Sequence, residues 1–253
     1  MLITAVIITK NEERNIKRCL ESVKDVVDEI VIVDSLSTDN TEMICRDYNN
    51  VNFVQKEWMG YSDQKNYANS LATHDWILSI DADEELSEGL KNSIAEIRKK
   101  EFETCNIFSM NRLTNYCGKW IRHSGWYPDR KIRIWNRNVG HWRGEIHETI
   151  EFSEEIKENL LKGDLLHYSF ATEQEYENQM FKFAKMRGQH YFMKGKKHAS
   201  FYMVVSPVFN FIQHYFFQLG FLDGAEGFHI CKISAKATKE KYKTLKQLIN
   251  NKL

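Results

Sequence analysis

The segment Ser79-Ile80-Asp81-Ala82-Asp83-Glu84-Glu85 places two carboxylates two residues apart, directly after the apolar run Trp76-Ile77-Leu78. Side chains at i and i+2 of an extended segment point the same way, so Asp81 and Asp83 can face one site. Two hard oxygen donors side by side suit Mg²⁺ or Mn²⁺, ions usually shared with substrate phosphates. The same residues also read as an acidic turn that caps the next helix. Two further stretches carry chemistry-bearing side chains. Gly118 to Arg130 combines Trp120, Arg122, His123, Trp126, Tyr127 and Asp129, and a loop of that kind and length is more often functional than idle. His141 to Glu148 supplies Glu145, His147 and Glu148.

The elements that must position these groups follow from periodicity. Leu2 to Thr9 is almost continuously apolar and reads as a buried parallel strand. Asn11 is placed to cap a helix whose inward stripe is Ile16, Cys19, Leu20 and Val23. Glu29 to Asp34 is a second buried strand, Ser35 to Thr41 a polar turn into a short helix, and Val51 to Val54 a third strand. Tyr61 to Leu71 reads as helix and Trp76 to Ile80 as the fourth strand. This β-α-β-α-β-α-β order predicts a parallel sheet covered by helices. Ligands of such sheets bind at the carboxyl ends of strands, where Thr9, Asp34 and Asp81 fall. Ser87 caps a helix carrying Leu90, Ile94 and Ile97, strands are expected at Asn106 to Leu113 and Lys131 to Trp135, and Leu165 to Tyr168 closes the sheet region.

The 253 residues, 42% of them hydrophobic, support one large domain or a domain with an appendage. Zero formal net charge argues against nucleic acid as the main partner. Five cysteines, without a Cys-x-x-Cys, fit reduced structural thiols in a cytosolic protein rather than a zinc site. The apolar start is too short for a signal peptide. From Lys182 onward there are 13 Lys and Arg against three acids, and His198 to Leu222 holds no Asp, Glu, Lys or Arg. Ser206, Pro207, Asn210, Gln213, His214 and Gln218 make that stretch costly as a bilayer span. Interfacial helices on an anionic membrane surface, or helices packed as an ordinary appendage, are the two readings that remain.

Taken together, Val6-Ile7-Ile8-Thr9-Lys10-Asn11-Glu12, Ile32-Val33-Asp34-Ser35-Leu36-Ser37-Thr38-Asp39 and Asp81-Ala82-Asp83 resemble family-2 glycosyltransferases of the GT-A fold, in order and spacing over about the first 90 residues. Gly125-Trp126-Tyr127-Pro128-Asp129, Arg133-Ile134-Trp135, His147-Glu148 and His167-Tyr168 resemble the narrower bacterial branch of lipopolysaccharide-core β-glucosyltransferase-like proteins. The resemblance implies an α/β fold with a mainly parallel central sheet flanked by helices. It implies a catalytic domain over 1–171, with a nucleotide-binding half 1–90 and an acceptor half 91–171, and a basic, aromatic-rich helical region over 172–253.

The activity implied is that of a metal-dependent inverting hexosyltransferase. The donor would be UDP-glucose or a similar UDP-hexose, and the acceptor a cell-envelope glycan or glycolipid such as lipopolysaccharide core. The setting would be cytoplasmic, peripheral to the inner face of the cytoplasmic membrane. By the same resemblance Thr9, Glu12, Asp34, Lys65 and Asp81 would meet the nucleotide. Asp83, Asp81 and His167 would hold Mg²⁺ or Mn²⁺. Glu148 would be the general base, with Glu145 and Asp129 as alternatives, and Trp126, Tyr127, Asp129 and His147 would line the acceptor pocket. Arg130 and Arg133 could meet phosphate, although Arg133, alternating with Ile132 and Ile134, also fits the outer face of a strand. The rivals are a sugar nucleotidyltransferase, which would normally carry a Gly-rich loop where Lys10-Asn11-Glu12 stands, and an inactive glycan-binding scaffold of the same fold. No G-x-G-x-x-G follows the first strand, which disfavours a dinucleotide-binding oxidoreductase.

Overall fold

A computed structural model of the chain describes residues 1–144 and 148–251, which divide into two compact units. The first comprises Met1–Arg112 and Asp129–Tyr168; the second gathers Leu113–Pro128 with Ser169–Leu253.

In the first unit β1 (Ile3–Thr9), α1 (Ile16–Val23), β2 (Glu29–Asp34), α2 (Thr41–Arg46), β3 (Val51–Gln55), α3 (Tyr61–Ser70) and β4 (Trp76–Ser79) follow the predicted alternation. Then come β5 (Glu84–Leu86), α4 (Glu88–Arg98), β6 (Asn106–Tyr116, its end in the second unit), β7 (Lys119–Ile121, second unit), β8 (Asp129–Asn136), β9 (Gly140–Arg143), β10 (Thr149–Phe152) and β11 (Lys157–Phe170). The strand order is β3-β2-β1-β4-β8-β6-β11-β5, while β9 and β10 form a separate antiparallel pair. Strands β1 to β4 are mutually parallel, and β8 then runs antiparallel to β4. The sheet is therefore mixed, with β1 to β4 forming a parallel part.

Alternation along each strand divides the core between the two faces of this sheet. Ile3, Ala5 and Ile7 of β1, Ile30 and Ile32 of β2 and Leu78 of β4 pack with α1 and α4. Val6, Val33 and Ile77, the intervening residues, pack with Ala68 of α3 and with Trp135 and Trp142. This placement follows from β-branched runs that can be buried on both faces. Asn11 does not cap α1: its backbone has φ of 54°, and its side chain accepts a hydrogen bond from Thr38 N at 2.8 Å. The helix begins later, after Asn15. Ser87 does cap α4, accepting from Leu90 N. Strand β5, three residues long and absent from the periodicity, pairs antiparallel with β11, His167 opposite Glu84.

In the second unit the end of β6 pairs with β7, and Tyr116, Ile121, Tyr176, Ile230 and Ile233 form its core. Its helices are α5 (Glu173–Met193), α6 (Ala199–Ile212) and α7 (Gly224–Asn250), with a π turn over 213–217 and a 3₁₀ turn over 220–223 between the last two. A capping box at Thr172 and Glu175 starts α5. The buried Asp223 carboxylate accepts from the backbone N–H groups of Arg122 and His123 and faces His123 Nδ1 at 3.0 Å. Much of the loop singled out in the sequence is thus anchored by one acid at the start of α7. Among the described residues no helix is long and apolar enough to cross a membrane.

Gly163 in β11 has φ of 99°, and a Cβ there would run into the backbone of Gly89 and Leu90 at the start of α4. Gly163→Ala is expected to lower unfolding stability by about 1–3 kcal/mol, from left-handed strain plus overpacking. Urea unfolding of the full chain measures this, and a loss of a few tenths would show that the crossing relaxes freely.

Candidate active site

The site grows from the carboxyl ends of β1, β2 and β4. Register pairs Thr9 with Asp34 and Val6 with Ser79, so Thr9, Asp34 and the start of the Asp81 segment lie side by side. Asp34 is fully buried. Its carboxylate accepts from Ser37 N at 2.8 Å and Ser37 Oγ at 2.5 Å, which folds the 35–38 turn over the strand end. Lys10 Nζ donates to the Ser35 carbonyl, and Glu12 N to Thr41 Oγ1, fastening the β1 loop to the same turn. Thr9 Oγ1 is buried without a hydrogen-bond partner, an unsatisfied polar atom at the strand end.

The two aspartates of the Asp81-Ala82-Asp83 turn meet different partners. Asp81 Oδ2 accepts from Arg133 at 2.8 Å, and its Oδ1 lies 3.2 Å from Lys65 Nζ. Burial opposes ionisation of Asp81, but Arg133 and Lys65 together outweigh it and hold this carboxyl far below the usual carboxylate range. Arg133 is itself buried and also donates to Glu84 Oε1 at 2.5 Å, while Glu84 Oε2 accepts from Asp81 N at 3.0 Å. Glu84 is pushed upward by burial, only partly offset by Arg133, with the neighbouring Asp81 charge adding to the rise. Asp83, by contrast, is met by an imidazole: His167 Nε2 lies 3.2 Å from its Oδ2. The β5–β11 pairing brings these two together, with Tyr168 N donating to the Asp83 carbonyl. Glu12 stands within electrostatic reach of Asp83; burial raises its pKa, Asn15 opposes the rise by hydrogen bonding, and Asp83 adds to it.

Helix α3 connects this cluster to the second carboxylate. In Gln64-Lys65-Asn66, Gln64 Nε2 donates to Ser35 Oγ, and Asn66 exchanges two hydrogen bonds with the backbone of Trp142. Lys65 lies between Asp81 and Glu148, with its Nζ 3.6 Å from Glu148 Oε1 and 4.5 Å from the Trp142 ring centroid. A lysine that could equally have been a surface residue is therefore only 5% exposed and bridges two acids. Glu145 and His147 lie outside the described residues. Asp129 is gripped by Arg112 at 2.8 Å and Lys131 at 2.9 Å. Burial opposes its ionisation, but those two cations hold its pKa below the usual range, which makes it a weak proton acceptor.

Trp126 and Tyr127 belong to the second unit. There Trp126 packs edge-on against Tyr116 and beside Phe170 and Tyr176, and Arg122 lies over the Tyr127 ring. Among the described residues no group of three or more His, Cys, Asp or Glu is placed to hold a metal ion. The residues that sequence reasoning missed are Glu84 and Arg112, which complete the ion network behind Asp81, with Arg112 3.7 Å from Glu84. Glu84 adjoins the Asp81 motif in sequence, but nothing in a linear pattern pairs it with a cation 49 residues away.

Removing a partner from a buried ion pair leaves an uncompensated charge. Arg133→Met is accordingly expected to cost about 3–5 kcal/mol of stability at pH 7. Because the folded Asp81 pKa is depressed, its stabilising contribution is fully present above its unfolded value near ~4 and is lost as pH falls toward the folded value. The acid limb of the stability profile should be shallower in Arg133→Met than in the wild type. Urea unfolding between pH 7 and pH 3 checks both, and parallel profiles would remove Arg133 from the cause.

Residues 4–159 match the Glycosyl transferase family 2 model. The chain is 30% identical over 235 residues to an uncharacterized glycosyltransferase of Rickettsia typhi, an alignment covering 89% of this chain and 80% of the relative. It is 28% identical over 220 residues to the lipopolysaccharide core biosynthesis glycosyltransferase LpsC of Rhizobium meliloti, covering 85% of this chain and 80% of LpsC. The mannosyltransferase PcManGT of Pyrobaculum calidifontis, solved in complex with GDP-Man and Mn²⁺, superposes with a TM-score of 0.55 at 14% identity, over 96% of this chain and 86% of that one. That likeness shows a common fold, the GT-A arrangement of sheet and flanking helices expected from the motifs. With the family match spanning more than half the chain, the protein belongs to glycosyl transferase family 2.

Proposed function

We propose that this glycosyltransferase moves a hexosyl group from a UDP-hexose, UDP-glucose or a close analogue, to a hydroxyl of a cell-envelope glycan or glycolipid such as lipopolysaccharide core, with inversion at the anomeric carbon. The observation that carries the reading is the pairing of two unlike acidic centres through one lysine: the Asp81 turn after the carboxyl end of β4 and Glu148 beyond Lys65. Similarity to LpsC supports the envelope acceptor.

In this reading the strand-end turn formed around Asp34, with Thr9 and Glu12, receives the uridine. The buried Thr9 hydroxyl supplies a hydrogen-bonding group that no atom of the described residues uses. Asp83 and His167 are the residues that would hold Mg²⁺ or Mn²⁺, since a carboxylate and an imidazole 3.2 Å apart offer an oxygen and a nitrogen donor. Both Asp81 oxygens are engaged by cations, so Asp81 serves better as the fixed end of the turn than as the main ligand. A bound divalent ion would offset the charge that develops on the departing diphosphate.

Glu148 is the base. As the acceptor oxygen bonds to the anomeric carbon its proton passes to Glu148, and the electron pair of the breaking C–O bond leaves with the nucleoside diphosphate. One carboxylate then suffices for a single displacement with inversion. Lys65, 3.6 Å from its Oε1, orients Glu148. Asp129, committed to two cations, is the weaker alternative, and Glu145 is the other.

Donor hydrolysis screened over a panel of nucleotide sugars identifies the sugar, and calorimetry with UDP and Mn²⁺ tests the donor side. Glu148→Gln should keep UDP affinity while turnover falls about 10²–10⁴-fold. Asp83→Ala should lose the metal-dependent part of UDP binding together with transfer. Wild-type turnover by Glu148→Gln would move the base elsewhere, and UDP binding indifferent to Mn²⁺ would remove the metal.

A further inference from the structure

The second unit carries an exposed apolar surface. Helix α6 exposes Phe201, Val204, Val205, Val208, Phe209 and Ile212, spaced so that most fall on one side of the helix. The exposed run continues past the helix through Phe216, Phe217, Phe221 and Leu222, with Phe217 80% exposed. Exposed aromatic and branched side chains in such number form a patch well beyond the scattered apolar residues of an ordinary surface. The charges around it are mostly cationic, although Lys236 also meets Glu177 at 3.8 Å and Glu240 follows Lys239. Lys194, Lys196 and Lys197 stand exposed immediately before α6. Beside the helix an open groove of about 380 Å³ runs between Pro207, Val208 and Phe211 of α6 and Lys232, Lys236 and Lys239 of α7. The nearest acid in sequence, Asp223, is buried and turned onto His123.

We propose that this face of α6, with the lysine-lined groove it shares with α7, docks on an anionic lipid surface without spanning it. The chemistry has two parts. Phenylalanine, valine and isoleucine side chains enter the boundary between headgroups and acyl chains. The lysines lay their methylene stems along the apolar groove and hold their ammonium groups at the level of lipid phosphates. The uncharged run from His198 to Leu222 lets the face enter that boundary without carrying an ion with it. A second copy of the chain is the competing occupant. It is disfavoured because the same lysines would meet across a symmetric interface, with like charges opposed.

Flotation of the full-length protein decides between them. Vesicles of 30% phosphatidylglycerol in phosphatidylcholine should carry the wild-type protein at about 50 mM NaCl, and pure phosphatidylcholine vesicles far less. Lys232→Gln/Lys236→Gln/Lys239→Gln, which alters only exposed side chains, should lower partition onto the anionic vesicles about 100-fold. Phe201→Ser/Phe209→Ser/Phe217→Ser should lower it about tenfold or more on both compositions. Circular dichroism establishes that each variant is folded. Absence of wild-type flotation at low salt overturns the proposal, as does flotation that neither variant changes. Dimerisation by sedimentation that the phenylalanine variant abolishes, without vesicle binding, assigns the face to a second copy instead.

Discussion

One guanidinium holds the sheet and the site to each other. Arg133 is buried on β8, donates to Asp81 at the end of β4 and donates to Glu84 at the start of β5. Burying Arg133 and Glu84, with Asp81 half-buried beside them, is expensive, and the cost is recovered only because each meets an opposite charge at hydrogen-bonding distance. Arg112 continues the chain of pairs from Glu84 to Asp129 on the neighbouring strands. The backbone ladder between β4 and β8 sets the strands side by side, and the ion network then fixes where the Asp81 turn leaves the sheet. The geometry of Asp83 depends on that turn, although Asp83 takes no part in the network.

The acids of this region differ in the cation that meets them. Asp81, Glu84 and Asp129 are each answered by arginine or lysine, whereas Asp83 is answered by an imidazole. Arginine stays charged under all ordinary conditions and neutralises its partner permanently. A histidine can give way to a cation or join it as a ligand. Two aspartates separated by a single alanine are thus differentiated by what faces them from other strands.

The parallel half of the fold was legible in the sequence because its strands are buried on both faces, and continuous β-branched runs such as Ala5-Val6-Ile7-Ile8 and Ile30-Val31-Ile32-Val33 have few other uses. The strand-end position of Thr9, Asp34 and Asp81 followed from the same runs. Strand β5 was invisible because three residues are too few for a period, and it exists only through pairing with β11. Arg133 alternates with two isoleucines and so looked like the outer face of a strand. Its burial depends on Asp81 and Glu84, a relation between distant segments that local pattern does not encode. Lys65 was ambiguous for the same reason. Asn11 failed as a helix cap because its side chain was claimed by Thr38, 27 residues further on.

The separation of Arg133 from its acids also has a meaning in time. During synthesis Asp81 emerges 52 residues before the guanidinium that neutralises it. At ordinary elongation rates that is an interval of roughly 3–10 s. Through it the four parallel strands can begin to pair, but the turn beyond β4 carries carboxylates that favour water over the interior. Glu148 leaves the ribosome later still. The Asp81 turn therefore meets its counter-charge only after β8 has been made, later than the four parallel strands beside it.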